Sequence, residues 1–122
     1  MKRDMELIRK ILLVVEESQG EPDLTVLFKD GYDEAALSYN AWLTQEAGLT
    51  AGIDPCWSDS DPYPAVFLRR LTWQGHEFLD AARNEPRWKG VMGKVKSAGG
   101  GVTLAVLQSL LSDALKQQIG IP

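Results

Sequence analysis

His76 is the chain's one histidine and Cys56 its one cysteine. General acid–base chemistry at His76 would need a carboxylate or a nucleophile beside it. Glu77 adjoins it, but successive residues on a helix point to different faces. Asp80, four positions on, is the carboxylate that could pair with it. One His and one Cys do not make a zinc set, which draws its four ligands mainly from such residues. Cys56 lies in the loop-like stretch Asp54-Pro-Cys-Trp and reads as an incidental thiol with no disulfide partner. Asp59-Ser-Asp61 has the spacing that opens a calcium loop, but the turn glycine and the closing bidentate Glu are missing. Ala98-Gly-Gly-Gly101 is not followed by Lys-Ser/Thr, so it reads as a hinge and not a phosphate cradle. The expectation is a non-enzymatic chain without cofactor or metal.

The remaining candidates are contact residues. Ser38, Asn40 and Gln45 fall within one helical stretch. Asn and Gln can read adenine with two hydrogen bonds, and Ser can reach phosphate. Arg69 and Arg70 fall in a predicted strand, where they point to opposite faces and only one can meet a given partner. Arg87 belongs to a basic group with Arg83, Lys89, Lys94 and Lys96, interrupted by Glu85. At about 100° per residue, Arg87 and Lys94 share one helix face and Lys89 and Lys96 another, which suits a solvated rim better than a phosphate clamp.

Charge distribution opposes nucleic acid. From Asp30 to Leu68 there is no Lys or Arg, while Asp30, Asp33, Glu34, Glu46, Asp54, Asp59 and Asp61 are all acidic, within a chain of net charge −4. Duplex affinity comes largely from Lys and Arg displacing counterions, and a block of carboxylates repels the same phosphates.

These candidates must be positioned by the elements around them. With 122 residues, the chain is long enough for a sizeable core and reads as one domain. No apolar run approaches the roughly 18 residues of a membrane span. Asp4, Glu6, Arg9 and Lys10 interrupt the start, which therefore does not read as a signal peptide, and a cytoplasmic location is expected. A first helix is predicted over about 4–18, capped by Asp4, with Met5, Ile8, Leu12 and Val15 on one face, and stopped by Gly20 and Pro22. Leu24–Phe28 favours a short strand by composition; a short helix capped by Thr25 and ended by Gly31 is the alternative. A helix over about 34–47 is capped by Asp33, with Ala36, Tyr39, Leu43 and Ala47 as its apolar stripe and Trp42 alongside. Glu34, Ser38, Ala41 and Gln45 would then face solvent, with Asn40 near the edge. Gly48 suits a left-handed helix end.

Strands follow at Leu49–Ile53 and Ala65–Leu71, separated by a loop over Asp54–Pro64 rich in Pro, Asp and Ser. Thr72 caps a helix over about 73–84, and Gly75 lets its first turn pack close to the strands. Pro86 opens another helix, burying Trp88, Val91, Met92 and Val95. Thr103 caps a last helix over about 104–118, with Leu104, Leu107, Leu111 and Leu115 on one face and Val106 and Leu110 flanking it; Gly120 and Pro122 end it. That width of apolar surface exceeds what one docked face needs. Either the helix folds back on the first helix, or residues 104–119 pair two copies as a homodimer.

Two phrases carry a resemblance. Asn40 to Leu49, ending in Ala47-Gly-Leu, resembles the end of the recognition helix in arsenic-repressor-type winged helices, where a His precedes the corresponding Leu. Leu71-Thr-x-x-Gly75 resembles the exit from the wing in bacterial winged-helix regulators. Over nearly the whole chain, Met1-Lys-Arg-Asp-Met-x-Leu-Ile-Arg9, Arg70-Leu-Thr-Trp-x-Gly-His-Glu-Phe-Leu-Asp80, Trp88 and the glycine break before a leucine helix resemble a family of small bacterial and phage proteins, domain-of-unknown-function family 2513. The chain departs from that pattern at Asn40, where a His is usual, and at Thr44, where a Leu is usual. The resemblance implies a mainly α (α+β) winged-helix-turn-helix-like domain over 1–122, with a core at 1–84, a small antiparallel sheet and a helical extension at 85–122. It leaves activity open. The acidic block favours a regulatory or adaptor module acting through protein contacts. A DNA-binding regulator using Ser38, Asn40, Gln45, Arg69, Arg70 and Arg87 is the alternative, and no membrane contact is expected.

Overall fold

The computed structural model describes residues 1–121; Pro122, one of the expected stops of the last helix, lies outside them. The order is α1 (Met5–Glu17), a 3-10 helix (Leu24–Asp30), α2 (Glu34–Glu46), β1 (Thr50–Cys56), β2 (Ala65–Leu71), α3 (Trp73–Ala82), α4 (Glu85–Ser97) and α5 (Leu104–Gln118). The fold is mainly helical, with one two-stranded antiparallel sheet. Two compact units divide it within α3, after His76.

In the first unit the helix starts follow side-chain caps. Asp4 accepts the Leu7 amide at 3.1 Å and Asp33 accepts the Ala36 amide at 2.8 Å, each satisfying an otherwise unpaired first-turn donor. α2 ends at a left-handed Gly48, φ 76°, where the Leu49 amide returns to the Thr44 carbonyl at 2.9 Å. This is the geometry glycine makes inexpensive. α1 buries Leu7, Ile8, Ile11, Leu12 and Val15 and packs on α2, β2 and the 3-10 helix.

Residues 24–30 are not the favoured strand. Asp23, not Thr25, caps the turn by accepting the Thr25 amide and hydroxyl, and Gly31 ends it at φ 92°. Only Leu27 is buried there, so strand-like composition is overridden by a cap and a stop.

α2 is also turned relative to expectation. Its buried residues are Leu37, Asn40, Ala41 and Thr44, one position, or about 100°, from the expected stripe. Ala41, expected in solvent, is 1% exposed, and Ala47, expected on the apolar stripe, is exposed. Polar contacts compensate for Asn40 and Thr44. Thr44 donates to the Ala41 carbonyl at 2.6 Å and meets the Thr50 hydroxyl at 3.0 Å, joining α2 to the start of β1.

β1 runs past the expected Ile53 to Cys56, with irregular register between Ile53 and Cys56 around Pro55, the kind of position a strand proline occupies. β2 has its expected bounds. Thr72 then accepts the Gly75 amide at 3.0 Å, and its own hydroxyl donates to the Gly48 carbonyl.

In the second unit Asn84 caps α4 through the Arg87 amide at 2.9 Å, with Pro86 in the first turn. Thr103 caps α5 through the Val106 amide at 3.2 Å. α4 packs on α5. Trp88, Val91, Val95, Leu107 and Leu111 are buried, each contributing on the order of 1.5–3 kcal/mol.

Candidate functional site

The contact candidates separate by location. Asn40 is 1% exposed. Its Oδ1 accepts the Asp4 amide at 2.8 Å, and its Nδ2 donates to the carbonyls of Ala36 at 2.9 Å and Lys2 at 3.4 Å. The expected edge position is therefore an interior one, with both ends of the amide occupied. Gln45 is half-buried, and its Nε2 donates to the Ile53 carbonyl at 3.0 Å; its Oε1 is buried without a hydrogen bond. Ser38 is half-buried on the flank of α2.

Arg69 and Arg70 are both exposed on β2, and Arg70 donates to the Leu71 carbonyl at 3.2 Å. In the second unit Arg87 is half-buried. Its Nε donates to Gln118 Oε1 at 2.8 Å and its Nη1 to the Ala81 and Asp80 carbonyls at 3.0 and 3.4 Å. It closes the end of α3 and holds α5, a fixed structural position. Asp80, considered as a partner for His76, is 3.2 Å from Arg83. His76 and Cys56 are exposed. Among the described residues no group of three or more His, Cys, Asp or Glu is placed to hold a metal ion, and no helix is long and apolar enough to cross a membrane.

The feature that residue-by-residue reading missed is a cavity of about 580 Å³ in the first unit. The 3-10 helix supplies Leu24 and Phe28 to it, α2 supplies Leu37, Ser38 and Ala41, and β2 supplies Ala65–Leu68. Glu21, Asp23, Glu34 and Asp61 also line it, and no Lys or Arg does. At this wall the Tyr63 phenol is pushed above its ordinary range by desolvation first and then by Asp61, Glu34 and Asp33. Asp23 is held below the usual carboxylate range by its bonds to the Thr25 hydroxyl and amide. Phe28 and Phe67 remain 45% and 42% exposed. The Asp30–Leu68 charge block signalled part of the polarity of this surface, through Glu34 and Asp61; Phe67 inside that block and Phe28 just before it were the unused signal for its apolar part.

Beside it, α2 carries an aromatic group. Trp42 stands edge-on to Tyr39 at 6.0 Å and to Trp57 at 5.1 Å, with Trp57 58% exposed. Sequence reasoning also missed Arg9, which is 2% exposed and lies 3.5 Å from Glu6.

Residues 2–101 match the family described as "Hypothetical protein (DUF2513)". A Haemophilus influenzae protein described as "Uncharacterized protein" is 34% identical over 120 residues, covering 98% of this chain and 99% of its own length. No solved structure matches the chain. The match over most of the sequence, joined to a relative of the same length, means that the chain belongs to the DUF2513 family.

Proposed function

We propose that this chain is a non-enzymatic winged-helix module, a regulatory or adaptor domain that acts through protein contacts. The order of α1, the 3-10 helix, α2 and the β1–β2 hairpin supports the winged-helix part, with α2 in the place of a recognition helix. One observation carries the functional part. The side chains of α2 best suited to reading bases are engaged internally, Asn40 by three bonds and Gln45 by its bond to Ile53. What α2 offers instead is Tyr39 and Trp42, with Trp57 of the loop after β1 edge-on to Trp42, in a stretch that carries seven carboxylates and no Lys or Arg. Aromatic residues are enriched where proteins meet proteins, and an acidic surface repels phosphate. An exposed, free Cys56 suits a reducing compartment such as the cytoplasm.

A second reading, a DNA-binding regulator, is favoured by Arg69 and Arg70, both exposed on the returning strand of the hairpin. A polarisation titration of the protein with random duplex at low salt decides between them. The adaptor reading expects weak binding. Micromolar or tighter binding that collapses as salt rises would establish the DNA reading in its place.

A further inference from the structure

The sheet stops at two strands. Among the described residues, β2 exchanges backbone hydrogen bonds with β1 and with no other segment. One of its edges is therefore open, and open edges are templates for strand addition. The chain has strand-like composition at Leu24–Phe28, but that segment is wound into the 3-10 helix and supplies no third strand.

A void follows β2. Ala65, Val66, Phe67 and Leu68 all line the larger cavity. Successive side chains of a strand point to opposite faces, and the void touches four in a row, with Cys56, the β1 partner of Ala65, also in its lining. A second cavity of about 400 Å³ shares Glu21, Phe67 and Leu68 with the first and continues to Arg69, with Gly20 and Ile53, the β1 partner of Phe67, completing its lining. Together they track five residues of β2, about 16 Å of extended chain. Facing β2 across the larger cavity are the apolar side chains of Leu24, Phe28 and Leu37, and its lining holds Glu21, Asp23, Glu34 and Asp61 without a cation.

We propose that this slot takes an extended, basic segment of a partner protein, which adds as a third strand along β2 and sets its apolar side chains against Phe28, Leu37 and Val66. The proposal rests on the adaptor reading above and names the chemistry of its partner. Backbone pairing with β2 supplies affinity, and alternate side chains supply specificity. Lys or Arg on the segment meets the four carboxylates, which steers association and excludes acidic competitors. Nucleic acid brings the wrong charge. A second copy of this chain is itself acidic, with net charge −4, and would set its own carboxylates against those of the slot.

The test uses the full chain and a fluorescent peptide that alternates Lys with Val or Ile, titrated by polarisation at low salt. Saturable binding is expected. It should weaken about tenfold or more in a Glu21→Lys, Asp61→Lys double variant and in Phe67→Ser. All three positions are exposed, so circular dichroism should show each variant folded. The same peptide N-methylated on alternate amides along the pairing edge should lose binding, because the ladder cannot form. Absence of binding to the parent peptide, equal binding of the N-methylated peptide, equal binding of a version with Glu in place of Lys, or folded variants that bind undiminished would each overturn the proposal. Random duplex is run in parallel. Duplex bound more tightly than peptide sinks the adaptor reading and the strand proposal with it. A protein that binds neither sinks the strand proposal alone.

Discussion

Asn40 and Asp4 are joined across 36 residues of sequence: the Asp4 amide donates to Asn40 Oδ1 at 2.8 Å, while Asp4 itself caps α1 through the Leu7 amide. One amide side chain on α2 thus fixes the residue that starts α1. Leaving a buried donor or acceptor unpaired costs about 1–3 kcal/mol. Asn40→Ala is expected to lower stability by that amount, read as a fall in the urea midpoint at unchanged slope. An unchanged midpoint would mean that water replaces the amide and that the bond to Asp4 contributes little.

The same substitution should have opposite signs at two kinds of glycine. A Cβ on Gly75 would stand 1.9 Å from the Leu49 carbonyl oxygen, a backbone atom that cannot swing aside. Gly75→Ala is expected to cost at least about 2–3 kcal/mol by overpacking, against the roughly 1 kcal/mol that Ala gains in a helix. Gly90 and Gly93 lie within α4 with nothing within 4 Å of such a Cβ. Gly90→Ala and Gly93→Ala should each stabilise by up to about 1 kcal/mol. Thermal melts of the three variants check the pattern, and a Gly75→Ala protein as stable as the parent would contradict the close packing.

These examples mark what the sequence made legible. Asp4, Asp33, Thr72 and Thr103 announce helix starts because a cap is a local bond between a side chain and an amide two or three residues on. Gly48 announces a stop, and Thr72 with Gly75 the turn from sheet to helix, for equally local reasons. The phase of α2 was not legible. Asn40 and Thr44 count as polar in any periodicity, yet they are buried because Asp4, Lys2 and Thr50 supply their partners, and those partners come from elsewhere in the chain. Residues 24–30 misled in the same way: β-branched composition describes what fits a pleated surface, while Asp23 and Gly31 decided the backbone. The cavity along β2 needed the fold, since its lining runs from Glu21 to Leu68.

Tyr63 reports on that cavity. Its phenol is raised by desolvation and then by Asp61, Glu34 and Asp33, so the folded protein favours the neutral form. A folded pKa above the unfolded one contributes stability that is present below the ordinary tyrosine range and is lost as pH climbs through the folded value. Difference absorbance between the parent and Tyr63→Phe should show this phenol ionising at higher pH than free tyrosine. Asp61→Asn with Glu34→Gln should move it back down. A Tyr63 transition at the free value in the parent would deny the negative field that the docking argument uses.

α5 supplies the last expectation. Leu107 and Leu111 are fully buried, but Val106 and Ile119 are 51% and 62% exposed, and Leu104, Leu110 and Leu115 are only partly covered. Val106 and Leu110 form one apolar flank beside the buried face; such a flank favours association with a like surface, and two-fold pairing of identical chains is the commonest closed solution. Residues 104–119 are therefore expected to form the interface of a homodimer. Val106→Glu is the cleaner probe, because the side chain is already half in water and its loss leaves Leu107 and Leu111 in place; Leu110→Glu cuts closer to the buried side. Sedimentation of the parent should give a dimer that Val106→Glu converts to a folded monomer. A folded parent that stays monomeric at tens of micromolar, well above a dissociation constant of about 1 μM (about 8 kcal/mol of association), would show that this face of α5 is not a self-association surface. If Val106→Glu leaves the dimer intact while Leu110→Glu unfolds the chain, Leu110 belongs to the monomer core and the interface lies elsewhere.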